Sequence, residues 1–131
     1  MSDITGRDIE KMIAIKFETG KYLPLTEATY YIMLALIEPR HGYAVMQKVE
    51  EISRGQVRVG PGTLYGVFTT LEKEKLIIKV KEEDRRKSYT LTDRGRAVLA
   101  EQIKRIDTMS QSGLAALKQL KKAGYNPGGG G

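Results

Sequence analysis

The sequence predicts a mainly α-helical fold with one small β-hairpin and a long C-terminal helix. Three observations carry the prediction. Apolar residues recur at helical spacing as far as Leu71, the period changes to alternation just after Leu76, and helical spacing returns unbroken beyond Thr92.

The first element is a short amphipathic helix with Ile9, Met12, Ile13 and Phe17 on one stripe, capped by Thr5 with Asp8 and ended before Gly20. Residues 1–24 therefore read as an N-terminal arm that packs on its own subunit or on a neighbour. Thr26 opens the next helix, EATYYIMLALIE, which is apolar nearly all round and so expected to be covered on several sides. Pro39 stops it, and His41-Gly42-Tyr43 turns the chain. The following helix carries Val45, Val49 and Ile52 on one stripe and is punctuated by Gly55. Another begins at Pro61, a residue suited to the first helical position because the N–H it lacks would be unpaired there. Leu64, Val67, Phe68 and Leu71 make its core face, leaving Thr63, Tyr65, Gly66, Thr69, Thr70 and Lys73 on the other sides.

The segments LIIKVK and KSYTL read as two strands, with Ile78 and Val80 alternating on one and Tyr89 and Leu91 on the other. Between them EEDRRK reads as a polar loop too long for a two-residue turn, and the two strands are expected to form the whole sheet. Thr92 then caps a helix of about 30 residues, or about 45 Å at the usual rise. Three helices followed by a hairpin form the winged helix-turn-helix pattern, here over residues 25–91. The long helix occupies 92–123, and 124–131 is expected to be a flexible Gly-rich tail.

Bulk properties narrow the function. A chain of 131 residues with 40% apolar and 29% charged residues suits one ordinary domain, and a net charge of +6 is compatible with a polyanionic partner. The absence of cysteine excludes a disulfide framework, a thiolate nucleophile and a zinc finger. The charged N-terminus lacks the apolar stretch of a signal peptide, and nothing approaches the roughly 18 to 20 apolar residues of a membrane span, so a cytoplasmic location without membrane contact is expected. His41 is the only histidine and has no ligand cluster near it, while Glu82, Glu83 and Asp84 sit at a loop tip that would hold ions poorly. Without a nucleophile–base pair or a phosphate-binding glycine loop, neither catalysis, a metal nor a cofactor is expected.

The stretch L-A-L-I-E-x-x-H-G-Y at 34–43, G-P-G-T-L-Y at 60–65, Leu71, Leu76-Ile77 and Y-T-L-T-D-R-G at 89–95 together resemble the PadR family of transcriptional regulators. The likeness runs from about Leu25 to Leu99, and the single C-terminal helix resembles the family's shorter form. It implies that the helix opened by Pro61 enters the major groove of double-stranded DNA, that the hairpin wing lies along the backbone, and that the last helix holds a homodimer. It also implies a small apolar or phenolic effector as a partner, and repression as the commoner outcome. Gly60 stands where Ser is common, and Lys75 where Gly often precedes Leu-Ile.

The residues themselves fit these roles. A recognition helix needs slim residues in its first turn, and Pro61, Gly62 and Thr63 supply them. Thr63 suits a phosphate, a base edge or a thymine methyl, Tyr65 has the reach of a phosphate contact, and Thr69 follows one turn on. His41 and Tyr43 are expected to touch backbone or phosphate from the helix before. Arg85, Arg86 and Lys87 are expected on phosphate, although three acidic residues precede them; strand alternation can separate the signs. In the last helix Leu99, Ile103, Ile106, Ser110, Gly113, Leu117 and Leu120 follow alternating steps of four and three, a coiled-coil-like dimer seam. A winged-helix protein-interaction module and an RNA-binding module are the alternatives.

Overall fold

The computed structural model describes residues 4–128; the last three glycines of the expected tail lie outside them. Helix α1 (Gly6–Phe17) is followed by a 3-10 turn (Thr19–Tyr22), α2 (Glu27–Ala35), β1 (Arg40–His41), α3 (Gly42–Ile52), α4 (Pro61–Lys73), β2 (Ile77–Glu83), β3 (Arg86–Leu91) and α5 (Asp93–Lys122). Local signals placed the helix starts. Thr5 and Asp8 form a reciprocal capping box on α1, Thr26 caps α2, and Thr92 caps α5 while donating its hydroxyl to the Lys75 carbonyl at 2.7 Å.

The core joins Ile32, Met33 and Leu36 of the α2 region to Val45 and Val49 of α3, Leu64, Phe68 and Leu71 of α4, and Ile77, Leu91 and Val98 beyond them. Helix α2 stops at Ala35, short of Pro39, because strand elements take its last carbonyls. The Arg40 guanidinium donates to the Ala35 carbonyl at 2.6 Å. The Leu36 carbonyl accepts from the Leu91 N–H at 3.1 Å and the Thr90 hydroxyl at 2.9 Å.

Three expectations for the sheet need correction. The sheet has three strands in the order β1-β3-β2, with Arg40 opposite Tyr89 and His41 opposite Ser88. A two-residue strand carries no alternation to read. The wing turn is also shorter than expected: Glu83 pairs with Arg86, and Asp84 and Arg85 have φ of 50° and 66°, the pattern of a two-residue primed turn. Its polar flanks hid the strands because the far end of a ribbon faces water on both sides. Finally, the inward residue at the start of β2 is Ile77, while Ile78 and Val80 are exposed. A register shift between Lys79 and Lys81 then bulges the strand.

Helix α5 begins against the turn that closes α4. Lys75 is left-handed at φ 61°, and the Leu76 N–H returns to the Leu71 carbonyl at 2.8 Å, a Schellman closure at the position where the sequence departs from glycine. Buried residues of α5 all lie between Gly95 and Gln102. Gln102 holds the chain entering α2, its Oε1 accepting from the Leu25 N–H at 2.8 Å. Farther along, α1 packs beside α5 and Glu10 pairs with Lys104. The expected tail is ordered at its start: Gly124, at φ 104°, and Tyr125 close α5 in a second Schellman motif, the Tyr125 N–H bonding the Leu120 carbonyl at 2.9 Å. Among the described residues no helix is long and apolar enough to cross a membrane.

Candidate nucleic-acid interface

Helix α4 is anchored from below by Leu64, Phe68 and Leu71, all buried, which turns Gly62, Thr63, Tyr65, Gly66 and Thr69 outward. Gly60 supplies no side-chain cap, so the departure from serine leaves the helix start bare. Nothing lies within 4 Å of a Cβ built on Gly62 or Gly66. The fold does not need glycine at either place.

Tyr65 is 54% exposed and leads back into the core through rings. It meets Phe68 edge to face with centroids 6.0 Å apart, and Phe68 lies 4.9 Å from Tyr89 of β3. Across from Tyr65 stands the start of α3, where His41 caps the helix, its Nδ1 accepting from the Ala44 N–H at 3.4 Å. A groove of about 330 Å³ results, lined by His41, Gly42, Tyr43, Tyr65, Arg85, Arg86, Lys87 and Tyr89. Burial pushes the Tyr89 phenol above its ordinary range, and the Glu72 carboxylate adds to the effect, so it stays a proton donor.

This groove collects six of the expected site residues from three separate stretches of chain. Arg85 at the turn and Arg86, Lys87 and Tyr89 of β3 form the wing side of this groove. The acidic neighbours Glu83 and Asp84 line a second groove on the wing with His41, Arg86 and Ser88. Pro61 and Thr63 are exposed in the first turn of α4, away from the first groove; Thr63 borders Thr29, Gly66 and Thr70 instead. Thr69 donates its hydroxyl to the Tyr65 carbonyl at 2.8 Å. Tyr89, expected only as a strand residue, and Thr29 are not among the expected site residues. Tyr89 shares its parity with Lys87, and that alternation was the available signal.

The expected seam on α5 divides. Leu99 is 3% exposed and belongs to the core of its own domain, so it is not open to a partner. The winged domain covers the first turns of α5, and the free face starts later. Ile103 and Leu120 are exposed, Ile106 and Leu117 half-buried, and Ser110 and Gly113 exposed. Met109 and Leu114, outside the seam, are exposed too.

The model of the transcriptional regulator PadR-like family matches residues 32–101, more than half of the chain. The chain belongs to this family. Family members are transcription regulators rather than enzymes. The chain is 36% identical over 74 residues to a 37.1 kDa protein in a Streptomyces fradiae transposon, covering 56% of this chain and 21% of that protein. It is 27% identical over 71 residues to the Escherichia coli transcriptional regulator YqjI, covering 54% of this chain and 34% of YqjI. The chain thus spans about a fifth of the first and about a third of the second. A solved PadR-like transcription factor from Bacteroides fragilis superposes with a TM-score of 0.57 at 25% identity, over 80% of this chain and 98% of that one. The mainly helical winged helix-turn-helix with a long last helix is therefore the family's architecture.

Proposed function

We propose that the chain binds duplex DNA as a homodimer and represses transcription by occupying a palindromic operator. The observation that carries this reading is the convergence of Arg85, Arg86 and Lys87 with the start of α3 and Tyr65 in one groove beside the outward face of α4. Cationic wing residues and the first N–H groups of α3 suit phosphates, whose negative charge a helix N-terminus also favours. With the backbone so held, the slim first turns of α4 lie in the major groove.

The dimer reading is supported by α5, which runs about 30 Å beyond its last buried residue at the usual helical rise. That length exposes Ile103, Met109, Leu114 and Leu120, and α1 exposes Ile9, Met12 and Ile13. A second copy covers such surface and, through its two-fold axis, makes the operator palindromic. A small apolar or phenolic effector completes the proposal, supported by a surface groove of about 560 Å³ between Pro24 and Met109 on α5.

Sedimentation with DNA titration tests the proposal. A dimer neutralising about 8 phosphates loses affinity with a log–log salt slope near −7, and Leu120→Asp, at an exposed seam position, yields a folded monomer that binds weakly. Wild-type chain that sediments as a monomer at micromolar concentration overturns the dimer. Equal displacement by structured RNA of the same length favours the RNA-binding alternative.

A further inference from the structure

The outward face of α4 lacks what most recognition helices use. From Pro61 to Leu71 it contains no arginine, lysine, asparagine, glutamine, aspartate or glutamate. No bidentate pairing to guanine or adenine can come from these residues. What the face offers is two glycines one turn apart, Gly62 and Gly66, with threonines beside them.

The threonines are partly spent. Thr69 donates its only hydroxyl proton to the Tyr65 carbonyl at 2.8 Å, and Thr70 donates its own to the Gly66 carbonyl at 3.2 Å. Both residues are exposed. With the hydroxyl protons folded back onto their own helix, what these two threonines keep for a partner is the γ-methyl and the lone pairs of an oxygen already bonded to the helix backbone. Glycine in an exposed helix costs about 1 kcal/mol relative to alanine, and the open space around Gly62 and Gly66 shows that the fold gains nothing from it. Close approach of another surface is what their missing side chains permit. On a surface met that closely and without amide or guanidinium groups, the methyls of Thr69 and Thr70 favour recognition by apolar contact, beside the exposed hydroxyl of Thr63 in the first turn.

We infer that α4 selects its operator through thymine, packing the γ-methyls of Thr69 and Thr70 against the thymine 5-methyl in the major groove. This rests on the proposed placement of α4 in that groove. Thymine is the one base that presents a methyl there, so methyl contact discriminates without a hydrogen bond. Tyr65, Arg85 and Lys87 then set register and affinity through the backbone, and the methyls set sequence.

The test starts from the duplex that the full-length chain selects from a random library, and replaces each thymine by deoxyuridine, which removes only the 5-methyl. Affinity falls about fourfold for each contacted methyl, the worth of one buried methyl group. Thr69→Ser, which loses the methyl and keeps the hydroxyl, binds the thymine duplex more weakly than Thr69→Val, which does the reverse. The Thr69→Ser loss disappears on the deoxyuridine duplex. Equal affinity for the thymine and deoxyuridine duplexes, or a valine variant weaker than the serine one, overturns the inference. Gly66→Leu separates this failure from that of the underlying reading, since it has room to fold yet bars α4 from the groove. If it abolishes binding while deoxyuridine has no effect, methyl reading alone is wrong. If it binds like wild type, α4 is not the helix in the groove, and the inference falls with that placement.

Discussion

A methyl group on Gly42 would stand 2.6 Å from the Tyr65 phenol oxygen and 3.1 Å from its Cζ. The first residue of α3 is therefore the seat on which the Tyr65 side chain rests. Because the phenol is the far end of a half-exposed side chain, it can swing aside where backbone could not. The glycine in the His-Gly-Tyr turn thus sets the position of a tyrosine twenty-three residues on.

Gly42→Ala is expected to keep the fold at a small cost in stability, because Cδ2 of the buried Leu64 would stand 3.2 Å from the new methyl, and to weaken DNA binding by moving Tyr65 out of the groove. A double-mutant cycle checks the cause: in a Tyr65→Ala background the same substitution should cost no further affinity. Equal losses in both backgrounds would mean that Gly42 acts by another route.

The wing turn separates stability from binding. Arg85 holds φ of 66°, a conformation glycine adopts freely, and Asp-Gly is a favoured pair for a two-residue primed turn. Arg85→Gly should therefore stabilise the chain by about 0.5 kcal/mol while lowering the salt slope of DNA binding by about one per subunit. Thermal denaturation and a salt titration report the two effects. A slope equal to wild type would remove Arg85 from the phosphate contacts.

At the junction of α4, β2 and α5, a Cβ on Gly95 would lie 2.0 Å from the Leu76 carbonyl oxygen. No side-chain rotation relieves a clash with backbone. Gly95→Ala is expected to destabilise the fold by about 3 kcal/mol, measured by urea denaturation. A loss under about 0.5 kcal/mol would show that the α5 start shifts freely, as surface positions do.

Lys75 offers the opposite case. It sits in the left-handed region at φ 61° with its backbone fully used: its N–H bonds the Glu72 carbonyl at 3.0 Å and its carbonyl accepts from Thr92. Lys75→Gly keeps these bonds and relieves the strained φ, so stability should rise by roughly 0.5 to 1 kcal/mol. A lower melting temperature would contradict this account of the turn.

Most helix starts were legible because their signals are local. A threonine three residues ahead of an N–H, or a proline at the first helical position, needs no distant partner to act. The apolar periods placed Leu64, Phe68 and Leu71 inside for the same reason, and the motif order around His41-Gly42-Tyr43 and Gly60 to Tyr65 carried the family. The remaining features arise from contacts between distant segments. Arg40 and His41 form a strand only because β3 lies alongside, and Glu83 pairs with Arg86 because a ribbon needs backbone partners rather than apolar side chains. Leu99 and Ile103 occupy one stripe in the sequence, yet the first is buried and the second exposed. The stripe is a property of one helix, whereas burial depends on where the winged domain beneath it ends. Tyr89 likewise joins the groove only when β3 brings it to Phe68 and Tyr65, because a contact between segments so far apart in the chain leaves no local period to read.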